Sequence, residues 1–82
     1  MKKYIVKIDG MMCGMCEAHI CDTIRKAFPL SLKVSASRKR GEAEFICGED
    51  IDESALKKAI DDTGYMFISV ESETYKKRGL FG

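Results

Sequence analysis

Cys13 and Cys16 are the residues of this chain best suited to chemistry. They form a C-x-x-C in the segment Gly10-Met11-Met12-Cys13-Gly14-Met15-Cys16, between an apolar β-branched stretch and a stretch of helical periodicity. This spacing lets both sulfurs converge on one point. A helix N-terminus beginning there offers partial positive charge and unpaired N–H groups, which favour thiolate over thiol. Soft thiolates select Cu(I), zinc, mercury-like ions or iron–sulfur clusters. A structural zinc site needs four ligands, and the sequence has no second C-x-x-C. Two thiolates alone suit an ion that accepts two-coordination, which points to Cu(I), with Zn(II) or Hg(II) as the alternatives. An exposed, under-coordinated ion is also one that can be handed on.

The other candidate ligands are less well placed. His19 lies one turn past Cys16 and off the apolar stripe of the expected helix, so it is read as a solvent-facing residue. Cys21 also falls off the stripe and is expected to be partly exposed. Cys47 stands at the end of an expected strand and reads as a small buried hydrophobe. Met12 and Met15 could add thioether contacts, but they fit a flexible, exposed apolar contact surface better. Asp9 and Glu17 flank the loop. They could solvate it and charge the helix start, or dock a basic partner.

The elements that must position this loop follow from the pattern. Residues 3–8, KYIVKI, read as a strand with Tyr4, Val6 and Ile8 facing the core. A helix is expected from Met15 to about Phe28, with Ile20, Ile24, Ala27 and Phe28 as its apolar stripe and Pro29 as its stop. Leu30, Leu32, Val34 and Ala36 alternate with polar residues as a half-buried strand. SRKRG, residues 37–41, is a hairpin connection, and Ala43 and Phe45 belong to a strand extending through Cys47. A second helix is capped by Asp52 or Asp50. Leu56, Ala59 and Ile60 form its apolar face, Glu53 and Lys57 an i, i+4 pair, and Gly64 its C-terminal stop. Residues 66–71 are the last strand. The order is βαββαβ, an α+β, ferredoxin-like sandwich with two helices on one face of a four-stranded antiparallel sheet. Residues 1–71 form the domain, and 72–82 a basic, mobile tail.

Composition removes several classes of function. The chain has 82 residues, room for one domain with a modest core and no large substrate cavity. Its formal net charge is +1, with 14 basic and 13 acidic side chains, unlike a nucleic-acid binder. It has no Trp and no aromatic motif suited to base stacking. No apolar run approaches the roughly 20 residues of a membrane span. The apolar stretch after Lys2 and Lys3 stops at Lys7 and Asp9, too early for a secretory signal. The chain is therefore expected to be cytoplasmic.

The segment Gly10-Met11-Met12-Cys13-Gly14-Met15-Cys16, set between a first strand and a first helix, resembles the G-M-x-C-x-x-C signature of the heavy-metal-associated domain family. That family includes small copper chaperones and the N-terminal modules of copper-transporting P-type ATPases. The resemblance covers residues 3–71, because Gly64-Tyr65 before the last strand also matches. It implies that Cys13 and Cys16 are the metal ligands. It implies that Met11 packs below the loop without ligating, and that Tyr65 lies near the loop and shields or tunes it. Zinc-handling members often carry Asp between the Met and the first Cys. Met12 stands at that position here, which favours Cu(I).

The expected function is that of a metallochaperone or metal buffer, not an enzyme. It would pass Cu(I) by thiolate exchange to a soluble domain of a metal-transporting P-type ATPase. A start at Met1 without a membrane span favours a free chaperone over an ATPase fragment. The chain is expected to be a monomer, with a metal-bridged dimer as the variation. The competing class is a thiol–disulfide oxidoreductase of glutaredoxin type. Against it, the element order is wrong, and the single proline, Pro29, lies at the far end of the first helix from the cysteines.

Overall fold

The computed structural model describes residues 1–12, 14–48 and 50–74. The elements run β1 (Lys2–Asp9), α1 (Gly14–Ala27), β2 (Leu32–Ser37), β3 (Glu42–Cys47), α2 (Glu53–Asp62) and β4 (Met66–Thr74). The four strands form one antiparallel sheet in the order β2-β3-β1-β4. Helix α1 packs over β2 and β3, α2 packs over β4, and the helices touch each other. This is the expected ferredoxin-like βαββαβ sandwich.

The core lies between sheet and helices. Tyr4, Val6 and Ile8 alternate inward from β1, Ala43, Phe45 and Cys47 do so from β3, and Ile20, Ile24, Leu56 and Ile60 descend from the helices. The Phe45 ring stacks on Tyr4 at 5.3 Å and on Phe28 at 5.8 Å, filling the end of the core at which α1 stops. The Tyr4 hydroxyl accepts a 3.3 Å hydrogen bond from the Ile51 N–H, which satisfies the polar tip of a buried ring.

Several details differ from expectation. Ala27 is exposed, and the α1 stripe continues through Phe28 alone, one i+4 step beyond Ile24. Leu30 is exposed in the turn after Pro29 and does not belong to β2. Leu32 also faces outward. The β2–β3 register shifts between Leu32 and Ser35, with Lys33 at φ 50°, so two residues of β2 oppose one of β3. This bulge reverses the side-chain parity. Val34 and Ala36 stay on the core side, while Leu32 joins its partner Ile46 on the outer face. Strand β4 runs three residues beyond residue 71, because Ser72, Glu73 and Thr74 pair with Tyr4, Lys3 and Lys2. The remainder of the expected tail, residues 75–82, lies outside the described residues.

Helix α2 is capped by Asp52, whose carboxylate accepts from the Ser54 N–H at 2.9 Å. Asp50 instead ion-pairs with Lys2 at 2.7 Å. Lys57 reaches forward to Asp61 at 2.7 Å in place of Glu53. The Asp61 carboxylate is already oriented by the Phe67 N–H at 3.4 Å, which makes it the better-placed acceptor.

Candidate metal site

The loop between β1 and α1 is built around two fixed points. Gly10 sits at φ +102°, a conformation that L side chains rarely adopt, and turns the chain out of the sheet. Met11 then drops into the core, only 6% exposed, as the family resemblance implied. Cys13 lies outside the described residues, so the structure describes one member of the cysteine pair.

Cys16 is half-buried in the first turn of α1 and packs against the core. It stands in line with Ile20, Ile24 and Phe28, each four residues on, along the face that α1 turns to the sheet. Its sulfur is therefore held by packing at the lip of the core, in the first turn of the helix. A fixed soft donor beside an exposed loop suits a soft metal ion taken as cargo.

Tyr65 is brought to this loop by the end of α2. The Thr63 N–H bonds to the Ile60 carbonyl at 3.0 Å and the Gly64 N–H to the Asp61 carbonyl at 3.1 Å. Gly64, at φ +95°, then reverses the chain, as expected of a C-terminal glycine. The Tyr65 N–H donates to the Thr63 hydroxyl at 3.3 Å. The half-buried Tyr65 ring comes to rest against Gly10, where an added Cβ would lie 3.4 Å from Cδ1. Its position beside the loop agrees with what the resemblance implied. His19 is exposed, as expected, yet its ring meets Tyr65 edge-on at 5.9 Å and 75°. Sequence spacing gave no sign of this contact, because the two residues lie on separate elements.

Met12 and Met15 are each 82% exposed, consistent with a contact surface. Met66, opposite Asp9 where β1 enters the loop, is a third exposed methionine at the same end and was not singled out from the sequence. Glu17 has a defined structural task. Its carboxylate accepts from the Arg38 N–H at 2.8 Å and ties the first turn of α1 to the β2–β3 hairpin.

The remaining cysteines do not converge on Cys16. Cys21 lies five residues on, well round the helix, and burial pushes its thiol above the usual range. Cys47 is buried and pairs with Lys2 at the start of β1, whereas the loop follows Asp9 at its end. Eight strand residues separate those ends by about 23 Å. Among the described residues no three His, Cys, Asp or Glu side chains are grouped to hold a metal ion, and no helix is long and apolar enough to cross a membrane.

No protein-family model matches the chain. Over 71 residues, 87% of its length, it is 35% identical to a mercuric reductase of Lysinibacillus sphaericus. Over 65 residues, 79% of its length, it is 35% identical to a mercuric reductase of Bacillus cereus. The chain spans 13% and 10% of those two proteins, so the likeness concerns a small segment of each. Among solved structures it is similar to the CopZ metallochaperone (TM-score 0.71, 21% identity, 80% of this chain and 98% of the other). It is similar to the yeast copper transporter domain CCC2A, solved in apo and Cu(I)-loaded states (TM-score 0.70, 22% identity, 90% and 97%). It is also similar to the N-terminal domain of the zinc(II) ATPase ZiaA (TM-score 0.59, 16% identity, 82% and 93%). These structures share its fold.

Proposed function

We propose that this chain, a heavy-metal-associated domain by fold and by loop motif, holds one soft metal ion between the thiolates of Cys13 and Cys16 and passes it on by thiolate exchange. The observation that carries this reading is the placement of Cys16. It is a packed sulfur in the first turn of α1, directly after the loop that holds the buried Met11 and the first cysteine of the motif, Cys13.

The metal of this reading is Cu(I), with Zn(II) and Hg(II) as competitors. Two sulfurs suit a low-coordinate soft ion. The absence of a carboxylate at Met12 removes the hard oxygen donor that would favour zinc. Mercury is the stronger competitor, because the relatives at 35% identity are called mercuric reductases and Hg(II) also accepts two thiolates. The partner is a similar soluble domain of a metal-transporting P-type ATPase. The exposed Met12, Met15 and Met66 supply a pliable apolar surface beside the ion. We place this transfer in the cytoplasm, where thiols stay reduced.

A thiol–disulfide oxidoreductase fits less well. The chain is folded as a βαββαβ sandwich, and Pro29 follows a 14-residue α1, about 20 Å along the helix from Cys16.

Anaerobic titration with Cu(I), Zn(II) and Hg(II) tests the reading. Wild type binds one equivalent of Cu(I), and both Cys13→Ser and Cys16→Ser lose that affinity at least about a hundredfold. Zinc outcompeting Cu(I) would overturn the copper assignment. Disulfide-exchange catalysis by a reduced protein that binds none of the three would favour the oxidoreductase.

A further inference from the structure

Tyr65 is braced beside the metal loop by contacts from its own turn, from the loop and from α1. The Thr63 hydroxyl accepts from its backbone N–H at 3.3 Å, its ring lies against the backbone of Gly10, and the edge of His19 meets the ring at 5.9 Å and 75°. The first two contacts come from the turn and loop themselves. The third comes from α1, the helix that carries Cys16. Cys16 and His19 are three residues apart and hence neighbours on the helix surface. His19 is exposed and lies outside the buried core cluster, so its ring is not needed to fill the interior.

We propose that His19 is a positioning residue of the metal site: its imidazole pins the Tyr65 ring against Gly10 and thereby sets how fast a bound soft metal leaves the loop. The claim rests on the metal-binding reading above and adds a residue that the cysteine motif does not include. Release by thiolate exchange requires an incoming sulfur to approach the ion and the loop to yield. A Tyr65 ring held over Gly10, the hinge at which the loop leaves β1, closes one approach and stiffens the hinge. Without the imidazole edge the ring gains freedom about its side-chain torsions. The hinge then loosens, while Cys16 stays packed in line with Ile20 and Ile24. An edge-to-face pair is a modest interaction, so the effect belongs to rate and not to the existence of binding.

The test uses the whole chain with His19→Ala and His19→Phe, the second of which keeps an aromatic edge. In the reduced metal-free protein, His19→Ala shifts the NMR signals of the Tyr65 ring, and His19→Phe keeps that ring in a single ordered environment. In Cu(I)-loaded protein, release to an excess of chelating dye, followed by stopped flow, is about two- to tenfold faster in His19→Ala and near the wild-type rate in His19→Phe. Equal release rates in wild type and His19→Ala would overturn the proposal. So would unmoved Tyr65 signals. A fall in Cu(I) affinity that His19→Phe fails to restore would make His19 a ligand, which also overturns it. If the wild type binds no soft metal, the metal-binding reading fails on its own, and the metal-free ring signals still decide whether His19 places Tyr65.

Discussion

On the proposed reading, the residues around the loop divide into those that would hold the ion and those that hold the loop. Met11 belongs to the second group. It is buried beneath the loop, so Met11→Ala should destabilise the fold by about 2–5 kcal/mol through lost burial and a residual cavity. Denaturant unfolding would show this. Cu(I) stoichiometry should stay at one equivalent below the unfolding midpoint, as for a residue that supports without ligating. Glu17 illustrates what a single sequence hides. Its acidic side chain suits a helix N-terminus or a docking face, yet in the structure it accepts from the Arg38 N–H at 2.8 Å, 21 residues away. Glu17→Ala should cost about 0.5–1.5 kcal/mol by chemical denaturation, below the usual range for a hydrogen bond to a charged group because this one is exposed to solvent. A loss of partner binding with unchanged stability would instead assign Glu17 to docking. The His19–Tyr65 contact was illegible for the same reason: pairing across elements depends on how α1 and the α2 turn meet.

At the scale of elements the pattern was largely legible, because period and punctuation agree with the fold. Alternation in β1 placed Tyr4, Val6 and Ile8 inside, Pro29 follows α1, and Gly64 ends α2. The misplaced details arise where local pattern and tertiary pairing diverge. Leu32 shares parity with Val34 in the sequence, but the bulge at Lys33 sends it to the outer face. Ser72, Glu73 and Thr74 look like a tail because they are polar, yet strand pairing with β1 uses backbone groups and needs no apolar side chain. At Gly64 the backbone requirement is strict. With φ at +95°, Gly64→Ala should cost about 1–2 kcal/mol, although an added Cβ meets no atom within 4 Å. A thermal melt would register it. Because Gly64 also delivers Tyr65 to Gly10, the same substitution should speed metal release.

For the whole molecule, acid is the relevant stress. Hydrogen bonding to Lys7 holds the Glu42 carboxyl below its ordinary value, as Lys2 does for Asp50 and Lys57 for Asp61. A carboxylate whose pKa is depressed in the folded state adds stability above its unfolded value, and that stability disappears as pH falls through the folded value. These contributions are thus complete above the ordinary values of 4.5 for Glu42 and 3.8 for Asp50 and Asp61, and fade below them. The melting temperature should be nearly level between about pH 5 and 8 and drop below about pH 4. The drop should be smaller in high salt, since the Lys2–Asp50 and Lys57–Asp61 pairs are solvent-exposed, while the part-buried Lys7–Glu42 pair is screened less. An unchanged melting temperature at about pH 3 would show that these pairs contribute nothing.

The sandwich places its loop at one end, with a packed Cys16, a buried Met11 and a braced Tyr65 beneath or beside it, and exposed methionines around it. On the proposed reading, two sulfurs and no other group hold a soft ion there. X-ray absorption at the copper edge, on wild type loaded anaerobically with one equivalent of Cu(I), counts those ligands directly. Two sulfur neighbours are expected around the copper, and they are lost in the Cys13→Ser, Cys16→Ser double variant. A shell containing nitrogen, or an unchanged sulfur shell in the double variant, would contradict that reading.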